Sequence, residues 1–258
     1  MCRIKPLNAI DHRSLIRHRE RICLAARNER NGRHILVARS TGKLHELATE
    51  LQTQWNVNAT VITADLSKEY GAKDVYKQTQ ELGLTVDYLV NNAGFATSGE
   101  FLSNPHETDH NQVMVNVAAV VDMTHLYLKD MVAKGSGTII NLASVVSFQP
   151  VPYMAVYGAT KAFVLSFTES LWEEYRKKGI KVLALCPGAT ATSFFETAGD
   201  VSFGKMRTAE QVVQSAFHAL AKGNSFVVDG KSNYATTQMG RFLPRKVLTR
   251  FVAGIMKK

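Results

Sequence analysis

The sequence predicts an α/β fold in which helices cover both faces of a doubly wound parallel sheet. Short apolar runs alternate with helical stretches from residue 34 onward, the intervening stretches are long enough for helical crossovers, and glycines and prolines fall between the elements. A length of 258 residues with 45% hydrophobic and 21% charged residues suits one domain with a substantial core. Because no internal repeat or linker divides the chain, we expect a single domain.

The first elements show the pattern most clearly. Residues 34–38 form a continuous apolar run, typical of a strand buried on both faces, and Leu44, Leu47 and Leu51 then recur on one helical face. The same alternation predicts further strands at 59–64, 86–92, 137–143, 181–186 and 225–228. It predicts further helices at 68–82, 113–131, 157–177 and 208–221.

The net charge of +9 is concentrated at the two ends of the chain. Residues 1–33 carry +6 and residues 239–258 another +6, which leaves the body, 34–238, at −3. A nucleic-acid groove does not segregate its charge in this way, so we expect no nucleic-acid partner. The three cysteines are too widely spaced for a disulfide framework or a metal site, and the basic start lacks the apolar region of a secretory signal. We therefore expect no metal and a cytoplasmic protein.

Polar residues stand at the expected carboxyl ends of two strands, where open α/β sheets bind ligands. Asn91, Asn92, Ala93 and Gly94 stand at the carboxyl end of the strand predicted at 86–92, and Ser144 follows the next strand. By themselves, these residues are as typical of turns and caps as of a binding site. A binding site is indicated only if further motifs of the same chemistry stand later in the chain.

Tyr157 and Lys161 lie four residues apart on a predicted helix and so share one face. A phenol, with a pKa of ~10, is a weak acid–base catalyst at neutral pH, but a nearby ammonium group stabilises the phenolate form. Tyr-x-x-x-Lys alone is common by chance. Its combination in this order with Asn-Asn-Ala-Gly, Ser144 and the later Pro187 and Gly188 is specific.

On these motifs, residues 34–258 resemble the short-chain dehydrogenase/reductase family, in particular its single-domain members. The resemblance implies a Rossmann-type sheet, a nicotinamide cofactor and interconversion of an alcohol and its carbonyl. It implies that Tyr157 is the general acid/base, that Lys161 assists it and binds the nicotinamide ribose, and that Ser144 binds the substrate oxygen. Asn116 then matches the helix-kink asparagine that completes a proton relay through water.

The cofactor can be inferred from charge. The residue after the second strand of such a fold meets the adenosine ribose, where an acid favours NAD and an arginine accommodates the 2′-phosphate of NADP. Arg39 stands there with no acid before Glu46, so the sequence favours NADP(H). The resemblance gives the full set of cofactor-binding residues as Arg39, Asp65, Leu66, Asn92, Ala93, Gly94, Tyr157, Lys161, Pro187, Gly188 and Thr192.

The family's glycine loop, Thr-Gly-x-x-x-Gly-x-Gly after the first strand, is absent. Its glycines let backbone N–H groups approach the pyrophosphate at a helix N-terminus. Residues 10–19 stand in its place, and they are branched, bulky and cationic. Such residues do not take the positive-φ conformations that glycine allows. We therefore set residues 1–33 apart as an aberrant N-terminal segment.

A one-base displacement of the reading frame accounts for this gap. The last two bases of each codon plus the first base of the next, from Ile10 to Cys23, can spell Leu-Ile-Thr-Gly-Ala-Ser-Ser-Gly-Ile-Gly-Ser-Ala-Phe-Ala. This is the missing strand end, glycine loop and helix start at the right distance before Arg39. We infer that the frame is displaced near Ala9 and restored before Gly32. The alternative is a divergent N-terminus that binds something else.

Three classes of function stay open. The first is an NADP(H)-dependent oxidoreductase, the second a catalytically impaired protein of the same fold, and the third a binding or scaffold protein that uses the basic ends. For an enzyme, the segments 94–101, 145–156 and 189–206 line the substrate and are apolar enough for a hydrophobic alcohol or carbonyl. The helices at 113–131 and 157–177 match the interface helices of related homodimers and homotetramers.

The sequence of the tail, residues 240–258, predicts a basic amphipathic helix. After Pro244, the apolar positions fall on one helical face, and the segment has cations but no acid. That pattern suits a helix that lies on an anionic membrane surface. It suits equally a helix that packs on protein, covering a neighbouring subunit or the substrate entrance.

Overall fold

The computed structural model of the chain describes residues 22–26, 33–190 and 206–257. The strands in this part are β1 (Ile22–Ala26), β2 (Arg33–Ala38), β3 (Asn58–Thr63), β4 (Val86–Asn91), β5 (Gly137–Leu142), β6 (Ile180–Cys186) and β7 (Phe226–Val228). The helices are α1 (Thr41–Trp55), α2 (Gly71–Glu81), α3 (His106–Val113), α4 (Ala119–Lys134), α5 (Ala155–Tyr175), α6 (Ala209–Lys222), α7 (Lys231–Gln238) and α8 (Arg245–Met256). The predicted alternation of strands and helices from residue 34 is confirmed.

The seven strands form one sheet in the order β3-β2-β1-β4-β5-β6-β7. β2 pairs in parallel with β3, and β4, β5, β6 and β7 pair in parallel with one another. Two large clusters of buried apolar residues cover the sheet: one includes residues of α2 and α4, and the other includes residues of α1 and α6. This is the predicted doubly wound α/β domain.

β1 is an exception to the parallel arrangement. It lies between β2 and β4 and is antiparallel to both, so the prediction of a wholly parallel sheet is wrong at this strand. The physical reason is the connection. Residues 27–32 join β1 to β2, whereas parallel neighbours need a crossover of about a dozen residues or more. The strand itself was not predicted either, and it lies inside the segment 1–33 that we set apart.

The long helix predicted at 113–131 begins earlier than expected. α3 starts after Pro105, residues 114–118 form a π-helical turn, and α4 continues to Lys134. The hydrophobic pattern does not reveal α3 because Asp109 and Gln112 are its buried residues. The π-helical turn places Asn116 in the interior, where its side chain is fully buried.

Candidate active site

The candidate site lies where β4, β5 and β6 end together at their carboxyl ends. Asn91 pairs with Asn141, and Leu142 pairs with Leu185, so the residues that follow these strands come out at one edge of the sheet. The sequence motifs of the 91–94, 144 and 187–188 regions are therefore brought together, as predicted from the rule for parallel strands. α5, with Tyr157 in its first turn, packs beside them.

Tyr157 and Lys161 lie on the same face of α5 and are both buried. The Lys161 Nζ atom donates a hydrogen bond to the Leu142 carbonyl at 2.6 Å and lies 5.9 Å from the centre of the Tyr157 ring. The Thr160 hydroxyl donates to the Tyr157 carbonyl at 2.8 Å. The strand end thus fixes the lysine, and the lysine charge is held beside the phenol.

Asn116 connects the loop after β4 to α5. Its Oδ1 atom accepts from the Phe95 N–H at 3.1 Å, and its Nδ2 atom donates to the Phe95 carbonyl at 3.0 Å and to the Thr160 hydroxyl at 3.2 Å. A Cβ on Gly94 would lie 2.9 Å from Asn116 Oδ1 and 3.6 Å from Lys161 Nζ, so only glycine fits there without displacement. In these contacts Asn116 acts as a positioning residue.

Ser144 begins the short 3-10 helix Val145–Phe148. Its hydroxyl accepts from the Val146 N–H at 3.4 Å, while its own N–H donates to the Ser147 hydroxyl at 3.2 Å. Ser147 in turn donates to the Lys161 carbonyl at 2.8 Å. The structure therefore gives Ser144 the capping contact typical of a turn and also places it at the edge where Lys161 lies.

The residues predicted for the adenosine end lie at the ends of β2 and β3. Arg39 is exposed, Asp65 is half-buried and Leu66 is buried. Partial burial acts to raise the pKa of Asp65, but the hydroxyl and N–H of Ser67 and the positive charges of Arg39 and Lys68 outweigh it, so the pKa lies below its ordinary value. This corner is thus built for a negative carboxylate beside a cation.

A cavity of about 50 Å³ lies between the residues predicted to bind the adenosine and the loop that contains Gly94. It is lined by Ala38, Arg39, Ala64, Asp65, Leu66, Ala93, Gly94, Phe95 and Val115. Ligand pockets commonly measure roughly 300–1,000 Å³. The cavity therefore lies at the expected place but is small.

At the nicotinamide end, the loop after β6 packs closely on α7. The Pro187 carbonyl accepts from the Val145 N–H at 3.1 Å, and a Cβ on Gly188 would lie 2.4 Å from Asn233 Nδ2. Asn233 Nδ2 also donates to the Asp229 carbonyl at 2.7 Å. Gly188 is needed here for close approach. Thr192, the remaining predicted residue of this loop, lies outside the described residues.

A buried polar network supports the site and was not predicted from the sequence. Asn91 Nδ2 donates to Thr124 Oγ1 at 3.0 Å and to Asn141 Oδ1 at 2.8 Å, and Asn141 Nδ2 donates to Thr168 Oγ1 at 3.0 Å. These bonds join β4, β5, α4 and α5 to one another near the strand ends of the candidate site. The available signal was asparagine at the end of two otherwise apolar strands, since a buried amide requires partners.

Tyr157 belongs to an apolar cluster of buried residues. The cluster comprises Ala96, Val146, Val151, Met154, Tyr157, Leu248 and Val252. Two of the three segments predicted to line the substrate contribute to it, 94–101 and 145–156; of the third, residues 191–205 lie outside the described part. Within the described ranges, no group of three or more His, Cys, Asp or Glu residues is placed to hold a metal ion.

The fold is that of a known family. The sequence profile of the family described as short chain dehydrogenase matches residues 23–201, which is more than half of the chain. The chain belongs to this family, whose members are oxidoreductases acting on CH–OH groups. The predicted family membership is thereby confirmed.

Relatives and a solved structure agree with this assignment. Very-long-chain 3-oxoacyl-CoA reductase of Mus musculus is 30% identical over 233 residues, which cover 87% of this chain and 73% of the relative. 17-beta-hydroxysteroid dehydrogenase type 3 of Homo sapiens is 34% identical over 164 residues, 62% of this chain and about half (51%) of the relative. A short-chain dehydrogenase from Sphingobium yanoikuyae in complex with NADPH has a TM-score of 0.71 at 30% identity, covering 81% of this chain and 83% of that one.

Proposed function

We propose that the protein is an NADP(H)-dependent oxidoreductase that interconverts a hydrophobic alcohol and its carbonyl, with Tyr157 as the general acid/base. The observation that carries the proposal is the position of Lys161. Its Nζ atom is held by the Leu142 carbonyl at the strand end, 5.9 Å from the Tyr157 ring centre, and lies next to the Cβ-free surface of Gly94. Burial of a charged ammonium group costs free energy, so the buried position of Lys161 beside a phenol supports a functional role.

The chain's own residues account for the proton chemistry. When bound, a reduced nicotinamide supplies a hydride to the carbonyl carbon. Tyr157 gives its hydroxyl proton to the oxygen, and the Lys161 charge stabilises the phenolate that results. In this proposal Ser144 donates a hydrogen bond to the same oxygen. Asn116 holds Phe95 and Thr160, which fixes the loop after β4 against α5. Its part in a water relay is a proposal that rests on the family resemblance.

The fit to a dinucleotide is good at its two ends and poor in the middle. Arg39, with Asp65 and Leu66, suits the adenosine ribose and favours a 2′-phosphate. Gly94, Lys161 and Gly188 suit the nicotinamide end. The described residues provide no glycine loop for the pyrophosphate, and the cavity measures about 50 Å³. This observation supports the second candidate: the present chain is a catalytically impaired copy whose glycine loop was lost by the displaced reading frame.

Two observations support a hydrophobic substrate. The cluster around Tyr157 is apolar, and it includes Val146, Val151 and Met154 from a segment predicted to line the substrate. The names of two relatives refer to a 3-oxoacyl-CoA and to a hydroxysteroid, each with a large apolar part. We propose a substrate of the same general character.

We also propose self-association through α4 and α5. Phe163 on α5 is exposed and stacks on Phe167 with ring centres 5.8 Å apart. Leu171 and Tyr175, which continue a stripe of apolar residues from Phe163 and Phe167 at intervals of four along α5, are partly buried against the core. The stripe therefore divides between an inner part that packs on the sheet and an outer part, headed by Phe163, that suits a second copy.

The test of function uses a frame-restored chain, in which the codons for residues 10–23 again spell the glycine loop. We expect this chain to reduce hydrophobic ketones with NADPH. Tyr157→Phe should lower turnover by about 10²- to 10⁴-fold, because only the hydroxyl transfers a proton. NADPH binding, followed by cofactor fluorescence, should stay unchanged, because the ring and Lys161 still shape the site.

Tyr175→Phe is the matched control, since it removes a hydroxyl from the same helix far from the strand ends. It should leave turnover unaltered. Substantial turnover in Tyr157→Phe would rule out the proposed acid/base role.

A further inference from the structure

Helix α8 carries two separate rows of apolar side chains. Leu248 and Val252, with 3% and 8% of their surface exposed, pack into the cluster that contains Tyr157. Val247, Phe251 and Ile255, with 51%, 53% and 54% exposed, form a second row. These three are spaced at i, i+4 and i+8, so they fall within one arc of about 80° on the helix. We call this second row the outer ridge.

The predicted tail helix is thus confirmed, and its two predicted uses are divided between two rows. Packing on protein accounts for the inner row. It does not account for the outer ridge, nor for Phe242, which is 83% exposed in the turn that leads into α8. Exposed apolar side chains in a contiguous row, rimmed by polar residues, mark an interaction surface.

Charge identifies the partner. Lys246 and Arg250 are exposed and fall on the helical arc beside the outer ridge, opposite the inner row, and the exposed Lys257 follows the end of the helix. Residues 239–258 contain six Lys and Arg and no acid. A twofold contact between two copies of this surface would bring cations against cations with no acid to compensate. An anionic lipid surface matches both the apolar ridge and the adjoining cations.

Geometry indicates how the helix lies. α8 has twelve residues and is therefore about 18 Å long, shorter than the roughly 30 Å core of a bilayer. In the part of the chain that the structure describes, no helix is long and apolar enough to cross a membrane. The outer ridge and the cations are adjacent rather than at opposite ends, which suits a helix parallel to the surface.

We propose that α8 is a membrane-surface helix that docks on anionic lipid through Val247, Phe251 and Ile255. Its inner row belongs to the same apolar cluster as Tyr157, so docking would bring this side of the candidate active site toward the lipid surface. Membrane docking does not depend on the proposed reaction, because it uses only the outer ridge and the cations.

The test is co-sedimentation of the full chain with vesicles of phosphatidylcholine and phosphatidylserine at 3:1, compared with pure phosphatidylcholine. We expect binding to the anionic vesicles, weakened by raising the salt from about 0.1 to about 0.5 M. The triple variant Val247→Gln, Phe251→Gln, Ile255→Gln should bind the anionic vesicles at least about tenfold less tightly. The control Tyr70→Gln, Leu82→Gln removes exposed apolar side chains outside the tail and should bind like the parent chain.

Circular dichroism and light scattering without lipid accompany each variant. Equal sedimentation of the parent chain and the triple variant would overturn the proposal. So would unchanged vesicle binding together with a smaller oligomer in the triple variant, since the ridge would then be a subunit contact. Because all substituted positions are exposed, we expect matching spectra.

Discussion

The carboxyl ends of β4, β5 and β6, at the candidate site, belong to the same sheet as strand β1 but are arranged differently. At the candidate site, β4, β5 and β6 end in register. The network of Asn91, Asn141, Thr124 and Thr168 joins β4 and β5 to α4 and α5. β1 fills the central position between β2 and β4 in the reverse direction. All four residues of this network come after residue 86, so the network does not involve β1.

The reversal has a consequence for the cofactor. Ala26, at the carboxyl end of β1, pairs with Arg33 and Val86, which begin β2 and β4. The end of β1 thus lies at the opposite edge from Asn91 and Leu142. In a doubly wound sheet the pyrophosphate loop follows the carboxyl end of the first strand at the ligand edge. In the described residues, the predicted acid–base residues thus lie at one end of the sheet and the carboxyl end of β1 lies at the other.

The first prediction concerns the free energy of unfolding, in which we expect the largest change. Restoring the frame replaces a reversed strand with a parallel one followed by a crossover helix, which adds buried apolar surface at about 25 cal/mol per Å². We expect the restored chain to be more stable by about 3–5 kcal/mol and to melt about 10 °C higher. Thermal denaturation followed by circular dichroism measures the difference. Equal melting temperatures would mean that β1 serves as well in reverse as in the native direction.

Much of this fold was predictable because its pattern is local. The apolar runs of β2 to β7 and the spacing of Leu44, Leu47 and Leu51 identify elements whose interior is apolar. α3 escaped prediction because polar Asp109 and Gln112 are its buried residues. β1 escaped because its place is set by the gap between β2 and β4, which is a tertiary property.

The candidate site, like the fold, is predictable from the sequence only in part. Tyr157, Lys161, Gly94 and Ser144 were identified by motif, and the structure brings them to one edge. The contacts that position them were not predictable, because hydrogen bonds such as Asn116 to Thr160 join residues far apart in sequence. A motif indicates which residue types the chemistry needs, whereas their supports depend on packing.

The next prediction has a smaller expected effect and concerns the relative affinities for NADPH and NADH. In the frame-restored chain, Arg39→Ala should weaken NADPH binding by about 10- to 100-fold, because it removes a charge-assisted contact with the 2′-phosphate. NADH binding should change little. Parallel fluorescence titrations with both cofactors give the ratio. If both affinities fall equally, Arg39 supports the fold and does not select the cofactor.

The smallest effect concerns Asp65. The Ser67 hydroxyl donates to its carboxylate at 2.7 Å and the Ser67 N–H at 3.0 Å. Ser67→Ala should raise the pKa of Asp65 toward its ordinary value of 3.8. Because the folded-state pKa is lowered, this carboxylate's contribution to stability is complete above 3.8 and is lost as the pH falls through the lowered value. NMR titration of the carboxyl carbon tests this, and an unmoved pKa would show that the hydroxyl bond is not a cause.

The most direct test of the central claim compares NADPH binding by the present chain and the frame-restored chain. The glycine loop provides backbone N–H groups for the pyrophosphate, and several such bonds to a charged group add up to a large affinity difference. We predict that the restored chain binds NADPH at about micromolar concentration and the present chain at least about 100-fold more weakly. Micromolar binding of NADPH by the present chain would contradict this prediction, because tight cofactor binding would then not require the glycine loop.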